Sequence, residues 1–240
     1  MIGKRIKKLS RNLTYRYLNL VQADFVSLND VKLNLRNTGL SSKARQSFYR
    51  GSFESPETRI ISATLDASDV VLEIGAGIGY ISILCAKMIG GENVYCYEAN
   101  PSLIPIIEEN CRLNNVKLSI SNTILSEKGG YRDFFVMPEY FSSSMIKRSD
   151  CAEPVSVKTT NINNELNTIS PTYLIIDIEG GEKELVYLID YNGVKKICIE
   201  VHPNVIGHRE VNNIIAALQS NGFMYDVDLS EKRILYFSRY

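Results

Sequence analysis

The chain has 240 residues, 45% of them hydrophobic, and its 27 Lys and Arg balance its 27 Asp and Glu. These values are typical of an ordered globular protein and exclude a disordered chain. No apolar run reaches the roughly 18 residues that a membrane-spanning helix needs, and the basic N-terminus lacks the apolar segment of a signal peptide. We therefore expect a cytoplasmic protein without a membrane span, whose five scattered cysteines are reduced core thiols.

Residues 1–50 are strongly basic, with eleven Lys or Arg against two acids. An amphipathic pattern runs through this segment and favours a helix that packs on the rest of the protein. The apolar positions of the pattern are Leu9, Leu13, Tyr17 and Leu20. A surface for a phosphorylated, nucleotide-linked or nucleic-acid partner is the alternative interpretation. We divide the chain into a basic helical segment, 1–50, and a domain, 51–240.

From residue 70 onward, short β-branched runs alternate with helical patterns, which is typical of parallel strands joined by crossover helices. The predicted strands cover residues 70–74, 93–98, 116–121, 173–178 and 195–201. Asn100 is positioned to cap the second helix, which takes Pro101 in its first turn. The last helix ends at Asn221 and Gly222, a usual stop signal.

The C-terminal 20 residues predict two further strands, 223–228 and 233–240, whose short polar connection leaves room only for an antiparallel pair. A doubly wound, mostly parallel seven-stranded α/β sheet that ends in an antiparallel hairpin is the class I methyltransferase fold. Between the third and fourth strands, an insertion at about 126–170 contains strand-like pieces, 132–137 and 155–160. Long insertions of this kind commonly shape a substrate site.

The segment VVLEIGAGIGY places Gly75, Gly77 and Gly79 after a buried strand and before a helix, so the backbone can approach a ligand closely. A dinucleotide fingerprint would need glycine at position 80, which is Tyr80. Glu73 would repel a phosphate but suits the ammonium group of a bound amino acid. These residues favour S-adenosylmethionine over a dinucleotide as the cofactor.

Glu98 ends the second strand, 19 residues beyond Gly79, where a carboxylate can accept hydrogen bonds from both ribose hydroxyls. This spacing supports an adenosine ligand. A solvated strand end is the alternative for Glu98.

Several segments resemble the FkbM-type family of methyltransferases across roughly residues 50–203. They are GSFESPE at 51–57, VVLEIGAGIGY at 70–80, YEANP at 97–101, the serines at 142–144, LIIDIEGGEKELV at 174–186 and IEVHP at 199–203. The chain departs from that family at Glu73 and Gly77, where Asp and Asn are usual, and at 161–164, where a Leu-Asp pair is absent. The resemblance implies O-methylation of sugars, polyketides or related small molecules. Further expected cofactor contacts are Glu54, Ala76, Tyr80, Ala99, Asn100, Thr123 and Asp177.

Four polar residues are predicted at the carboxyl ends of strands four and five, where a parallel sheet gathers its site residues. They are Asp177, Glu179, Glu200 and His202. Neutral His202 is the predicted proton acceptor, oriented by Glu200 or Asp177. A structural histidine is one alternative, and a Mg²⁺ ion held by the carboxylates and His202 is another. Expected acceptor contacts are Tyr140, Ser143, Ser144 and Glu179.

These patterns predict an S-adenosylmethionine-dependent methyltransferase that acts on a hydroxyl of a sugar, a glycan or a related small molecule. A nucleic-acid methyltransferase that uses the basic N-terminus is the first alternative. It is disfavoured because strand four ends in Asp-Ile-Glu and lacks the Asn/Asp-Pro-Pro-aromatic motif of enzymes that methylate exocyclic base nitrogens. A noncatalytic cofactor-binding module is the second alternative.

Overall fold

The computed structural model describes residues 13–137 and 153–239. The strands are β1 Phe25–Leu28, β2 Val31–Asn34, β3 Val71–Ile74, β4 Val94–Tyr97, β5 Ser119–Ser121, β6 Ile124–Ser126, β7 Gly130–Val136, β8 Glu153–Asn161, β9 Tyr173–Ile176, β10 Lys196–Glu200, β11 Met224–Tyr225 and β12 Ile234–Ser238. The helices are α1 at 13–21, α2 Ser42–Arg50, α3 Ser55–Thr64, α4 Tyr80–Ile89, α5 Ile104–Asn114, α6 Ile162–Ile169, α7 Glu182–Leu188, α8 Pro203–Ile206 and α9 His208–Ser220.

The central sheet has seven strands in the order β11-β12-β10-β9-β3-β4-β5. Five of them, from β10 to β5 in that order, are parallel, and β12 pairs antiparallel with both β10 and β11. The predicted class I methyltransferase fold is therefore confirmed, including the antiparallel strands at its end. Because these strands are parallel, the carboxyl ends of β3, β4, β9 and β10 lie at the same edge of the sheet.

Helices cover both faces of this sheet, which explains why its central strands are mostly apolar. All four residues of β3 are buried, and alternation sends Val71 to one face and Leu72 and Ile74 to the other. The first face packs against α3, α4 and α5, and the second packs against α6, α7 and α9. The two layers hold the strand ends in a fixed arrangement.

The N-terminal segment contains a β-hairpin, β1–β2, in addition to helices α1 and α2. The side chains of Leu13, Tyr17 and Leu20 are exposed, and α1 instead contacts the core through Tyr15 and Leu18. The predicted amphipathic face is thus not the packed face of α1, and Leu9 lies outside the described residues. No helix in 13–137 or 153–239 combines the length and hydropathy of a membrane span.

The hairpin is joined to the central domain by polar side chains. The backbone amide of Asn34 donates to Asn110 Oδ1 at 2.7 Å, and Asn29 Nδ2 donates to the hydroxyl of Tyr80 at 2.8 Å. The division of the chain at residue 50 stays a prediction.

The insertion forms a separate three-stranded sheet in the order β6-β8-β7. Strands β7 and β8 are antiparallel and coincide with the strand-like pieces predicted there. The expected acceptor contacts Tyr140, Ser143 and Ser144 lie outside the described residues.

Candidate active site

A cavity of about 400 Å³ opens at the carboxyl ends of the parallel strands. This volume is in the usual range for a site that takes a small ligand. Seven of the twelve predicted cofactor residues line it: Glu54, Gly75, Gly77, Glu98, Ala99, Thr123 and Asp177. The cavity therefore brings together residues from the glycine turn, from the end of β4 and from the end of β9.

The glycine turn after β3 is required by close backbone packing. Gly75 has φ +90°, and a Cβ at this position would lie 1.7 Å from the carbonyl oxygen of Asp177. Gly79 has φ +82°, and its Cβ would lie 2.9 Å from Ile107 Cγ2. Any side chain at either position would collide with a neighbour and adopt a strained backbone conformation. Glycine lets the chain turn here directly against β9 and α5.

Glu98 is buried at the end of β4, and both of its oxygens are held by backbone amides. Gly77 N donates to Oε2 at 2.8 Å, and Asn100 N donates to Oε1 at 2.7 Å. Burial raises the pKa of Glu98 to about 7, although these hydrogen bonds partly oppose the shift. Each carboxylate oxygen has lone pairs left for a ligand, so Glu98 is a preorganised acceptor for hydroxyl groups.

An apolar wall lies beside Glu98 and is formed by Ala99, Leu103 and Ile124. Such a surface suits a flat heterocyclic ring. Thr123 also lines the cavity, but its hydroxyl donates to the carbonyl of Lys158 at 2.8 Å. Its hydroxyl therefore helps to attach the insertion to the cavity wall.

The other five predicted cofactor residues lie away from the cavity surface: Glu73, Ala76, Gly79, Tyr80 and Asn100. Glu73 is buried beneath the turn, where the hydroxyl of Ser82 donates to it. Burial raises the pKa of Glu73 to about 8, because Ser82 compensates only part of the lost hydration. Glu73 thus supports the turn from behind.

Tyr80 and Asn100 also have structural partners. The hydroxyl of Tyr80 lies 3.0 Å from Thr58 Oγ1 and accepts from Asn29, so Tyr80 links α4 to α3 and to the hairpin. The side chain of Asn100 accepts from Ser102 N at 3.0 Å and caps the turn that leads into α5, as the sequence predicts.

Four carboxylates surround the buried imidazole of His202. Its Nε2 lies 3.5 Å from Glu179, 3.6 Å from Glu200 and 3.7 Å from Asp177. On the other side, Glu182 lies 3.3 Å from Nδ1 and accepts from the His202 backbone amide at 2.8 Å. The ends of β9 and β10 are therefore joined through this one side chain.

This environment keeps His202 protonated at neutral pH. Burial lowers its pKa, but hydrogen bonds to Glu179 and Glu182 and the charge of Asp177 outweigh burial and raise the pKa to about 10. A doubly protonated imidazole cannot accept another proton, so its surroundings disfavour the role of base predicted for His202. The imidazolium instead neutralises part of the carboxylate cluster.

Asp177 and Glu200 extend this cluster to the cavity wall. Burial and the charge of Glu200 raise the pKa of Asp177, and burial also raises the pKa of Glu200. The buried Oδ1 of Asp177 has no hydrogen-bond partner among the described residues. A carboxylate in the cavity wall with an oxygen free of hydrogen bonds is a fitting partner for an ammonium group.

Asp177, Glu200 and His202 could also supply three metal ligands, whose atoms lie within 4.8 Å of one another. The known proteins that this chain resembles give no support for the Mg²⁺ ion considered from the sequence. The proton on His202 already provides a positive charge at the same place.

Sequence reasoning missed Glu57, which lines the cavity in the first turn of α3. Its buried Oε2 has no hydrogen-bond partner among the described residues. Burial raises the pKa of Glu57 to about 7, and the charge of Glu200 adds to the shift. The sequence carried little signal for it, because Glu54 precedes the helix with a left-handed backbone, and only Glu57 lies within the first turn of α3.

The residues present fit S-adenosylmethionine. Glu98 offers acceptors for ribose hydroxyls, the wall of Ala99, Leu103 and Ile124 suits an adenine ring, and Asp177 offers, for an ammonium group, an oxygen without a hydrogen bond from any described residue. Together, this site and the sheet order define an S-adenosylmethionine-dependent methyltransferase domain of the class I fold.

Comparison with known proteins supports this class. Residues 46–144 match the TRM5/TYW2 methyltransferase domain. A putative protein N5-glutamine methyltransferase of Methanocaldococcus jannaschii is 37% identical over 82 residues, which are 33% of this chain and 41% of the relative. The chain therefore spans less than half of the length of that curated relative.

The fold is also similar to that of Pyrococcus abyssi tRNA (uracil-54, C5)-methyltransferase in complex with S-adenosyl-L-homocysteine. The TM-score is 0.51 at 15% sequence identity, over 90% of this chain and 44% of the other.

These findings correct the family prediction. The assignment to the FkbM-type family is wrong, because the matched domain is that of TRM5/TYW2 and the curated relative is an N5-glutamine enzyme. The glycine turn and the acid after β4 are shared by class I enzymes in general, so they indicated the cofactor without fixing the family. O-methylation of a sugar or glycan, which was inferred from that resemblance, has no support from the comparisons.

Proposed function

We propose that this chain transfers a methyl group from S-adenosylmethionine to a nitrogen atom of a nucleobase in RNA. The observation that carries the proposal is the match of residues 46–144 to the TRM5/TYW2 methyltransferase domain, because that range contains the glycine turn, Glu98 and two further acids that line the cavity, Glu54 and Glu57.

The chain's own residues would hold S-adenosylmethionine as follows. Glu98 accepts from the ribose hydroxyls, and the wall of Ala99, Leu103 and Ile124 packs on the adenine. Asp177 and Glu54 face the ammonium end. When bound, the cofactor supplies an activated methyl group on a sulfonium, so positioning of the acceptor gives most of the acceleration.

The acceptor would lie against the carboxylates at the ends of β9, β10 and α3. Carboxylates accept hydrogen bonds only, so they favour an acceptor that presents N–H groups. Transfer would form a bond from the acceptor nitrogen to the methyl carbon and break the sulfur–carbon bond, whose electron pair would stay on the departing S-adenosylhomocysteine, and the nitrogen would lose a proton. Glu57 takes this proton on its unpaired Oε2, because a carboxyl with a pKa of about 7 is matched to a base that acts at neutral pH.

RNA is supported as the substrate by the basic charge of the N-terminal segment. Residues 1–50 hold eleven basic residues against two acids, which favours contact with a polyanion. A base that projects from a single-stranded region could enter the cavity, as enzymes that modify bases require. The chain has Asp-Ile-Glu after β9, where enzymes that methylate exocyclic base nitrogens have Asn/Asp-Pro-Pro-aromatic. In this chain, carboxylates would make the hydrogen bonds to the base instead.

A second candidate is the side-chain amide of glutamine in a protein. The observation that favours it is the 37% identity over 82 residues to the N5-glutamine relative. A glutamine amide also presents N–H donors, so the same carboxylates suit it.

The test is methyl transfer from radiolabelled S-adenosylmethionine to unmodified tRNA transcripts, to total RNA and to glutamine-containing peptides in parallel. We expect label in RNA, and nuclease digestion followed by chromatography should locate it on a base nitrogen. Label in the peptides alone would overturn the RNA proposal in favour of the glutamine candidate. Label on ribose oxygens would contradict the nitrogen acceptor.

A further inference from the structure

A tight turn at the mouth of the cavity carries two adjacent basic residues, Lys232 and Arg233. Glu231 N donates to the carbonyl of Ile234 at 2.9 Å, and Ile234 N donates back to Glu231 at 2.9 Å. These two hydrogen bonds close the turn and leave Lys232 and Arg233 as its central residues. The basic turn, residues 231–234, therefore presents both cations at the rim.

Lys232 adopts a left-handed backbone conformation, with φ +57°. Glycine or asparagine is favoured at such a position, and a lysine there is strained. A strained residue at the edge of a functional cavity is a sign that its side chain serves a purpose other than stability.

The basic turn is held firmly in place. Val201 N, next to His202, donates to the carbonyl of Arg233 at 2.9 Å. Behind the turn, Arg59 donates to the carbonyl of Leu229 at 2.8 Å and contacts Glu231 at 3.4 Å. The rim therefore keeps a fixed position relative to the carboxylates below it.

The basic turn at the mouth of the cavity lies above the acidic side chains Asp177 and Glu200, which are of opposite type. The side chain of Lys232 is 83% exposed, and its nearest carboxylate is Glu231 at 3.8 Å. Arg233 is half exposed and contacts Glu200 at 3.1 Å. A ligand that fits both layers would carry N–H donors at its inner end and negative charge at its outer end. A nucleotide within a nucleic-acid strand has this distribution.

We propose that Lys232 and Arg233 bind a backbone phosphate of the RNA next to the base that enters the cavity. This proposal rests on the function proposed above and names the surface by which the substrate is held. The contact is electrostatic and independent of sequence, so it positions the strand while the carboxylates select the base.

The test measures binding of a fluorescent single-stranded RNA by anisotropy at several salt concentrations. Lys232→Glu is compared with Lys117→Glu, which makes the same charge change at an exposed position before β5, at the opposite edge of the sheet. We expect Lys232→Glu to weaken binding about tenfold and to reduce the salt slope by about one, while the control matches wild type. Affinity for S-adenosylmethionine should be unchanged in both variants.

A second variant separates binding from folding. Lys232→Gly removes the cation and relieves the left-handed strain, so it should weaken RNA binding while it raises resistance to urea. Equal RNA affinity for Lys232→Glu and Lys117→Glu, with wild-type binding intact, would contradict the proposal that the basic turn binds a phosphate and would leave the proposed function unaffected. If wild type binds no RNA, both that proposal and the proposed RNA substrate are wrong.

Discussion

Carboxyl groups concentrate around the cavity, and their pKa values are shifted upward for a common reason. Glu57, Glu98 and Asp177 lose hydration in the cavity wall, and each retains at least one oxygen that protein groups do not fully satisfy. Such groups are costly to folding and are typical of functional sites. The sign of the charge fits a ligand with an ammonium, a sulfonium and hydroxyl donors.

Glu57→Gln tests the proton acceptor. The variant should lower turnover by about 10² to 10⁴, because the amide cannot take the proton, while affinity for S-adenosylmethionine stays near wild type. In wild type, Glu57 works only when ionised, so the rate should rise with pH until about pH 7 and then level off.

The measurement is single-turnover methyl transfer between pH 5 and 9 in wild type, in Glu57→Gln and in the exposed control Glu108→Gln. The acidic limb should be present in wild type and in the control and absent in Glu57→Gln. An unchanged limb in Glu57→Gln would place the proton acceptor elsewhere.

Individual residues were only partly predictable from the sequence. Glu98 could be found because its distance from the glycine turn fixes its place at the end of the next strand. The protonation of His202 could not, because it depends on four carboxylates from two strand ends and a helix that meet only in the folded chain. For the same reason, Glu73 and Tyr80 matched a motif and yet have partners behind the turn.

At the scale of elements, the close contact between the β3 turn and β9 builds the cavity floor. Gly75 permits this contact because a Cβ would lie 1.7 Å from the Asp177 carbonyl oxygen. Any substitution at Gly75 would therefore displace the backbone of Asp177, which lines the cavity. Such a substitution should lower stability as well as cofactor affinity, which the sequence motif alone did not indicate.

Gly75→Ala and Gly193→Ala separate backbone strain from collision. Gly193 has φ +82°, and no atom lies within 4 Å of its Cβ position, so alanine there should cost only the left-handed strain of about 1–2 kcal/mol. Gly75→Ala should lose about 1–3 kcal/mol more and should also lose cofactor affinity. Urea unfolding and calorimetry measure the two effects. Equal losses of stability with intact binding would show that the close approach is unimportant.

The hairpin β1–β2 shows what pattern reasoning at this scale overlooked. Val26, Leu28, Val31 and Leu33 alternate around Asn29 and Asp30, whose positive φ angles form the connecting turn. Alternation and an Asn-Asp pair are hairpin signals. The basic charge of residues 1–50 drew attention to a helical arm instead, although this alternating stretch contains few of those charges.

The architecture of the whole molecule followed from the sequence because its signals are long and repeated. Alternating apolar runs and helical patterns fixed the parallel strands, and the short C-terminal connection fixed the antiparallel pair. The family could not be predicted from the sequence in the same way, because the short segments near the strand ends that suggested it are shared by many class I enzymes. The acceptor did not follow either, because the acidic and basic side chains that line the cavity come from distant parts of the chain.

The most direct test of the account is calorimetric titration of the full chain with S-adenosylmethionine. Wild type should bind one cofactor per chain, and Glu98→Ala should lose about 1.5–3 kcal/mol, the contribution of hydrogen bonds to a charged group. Glu92→Ala, in the exposed turn before β4, is the matched control and should bind like wild type. Undiminished affinity in Glu98→Ala, with the fold intact by circular dichroism, would contradict the assignment of this cavity as the cofactor site.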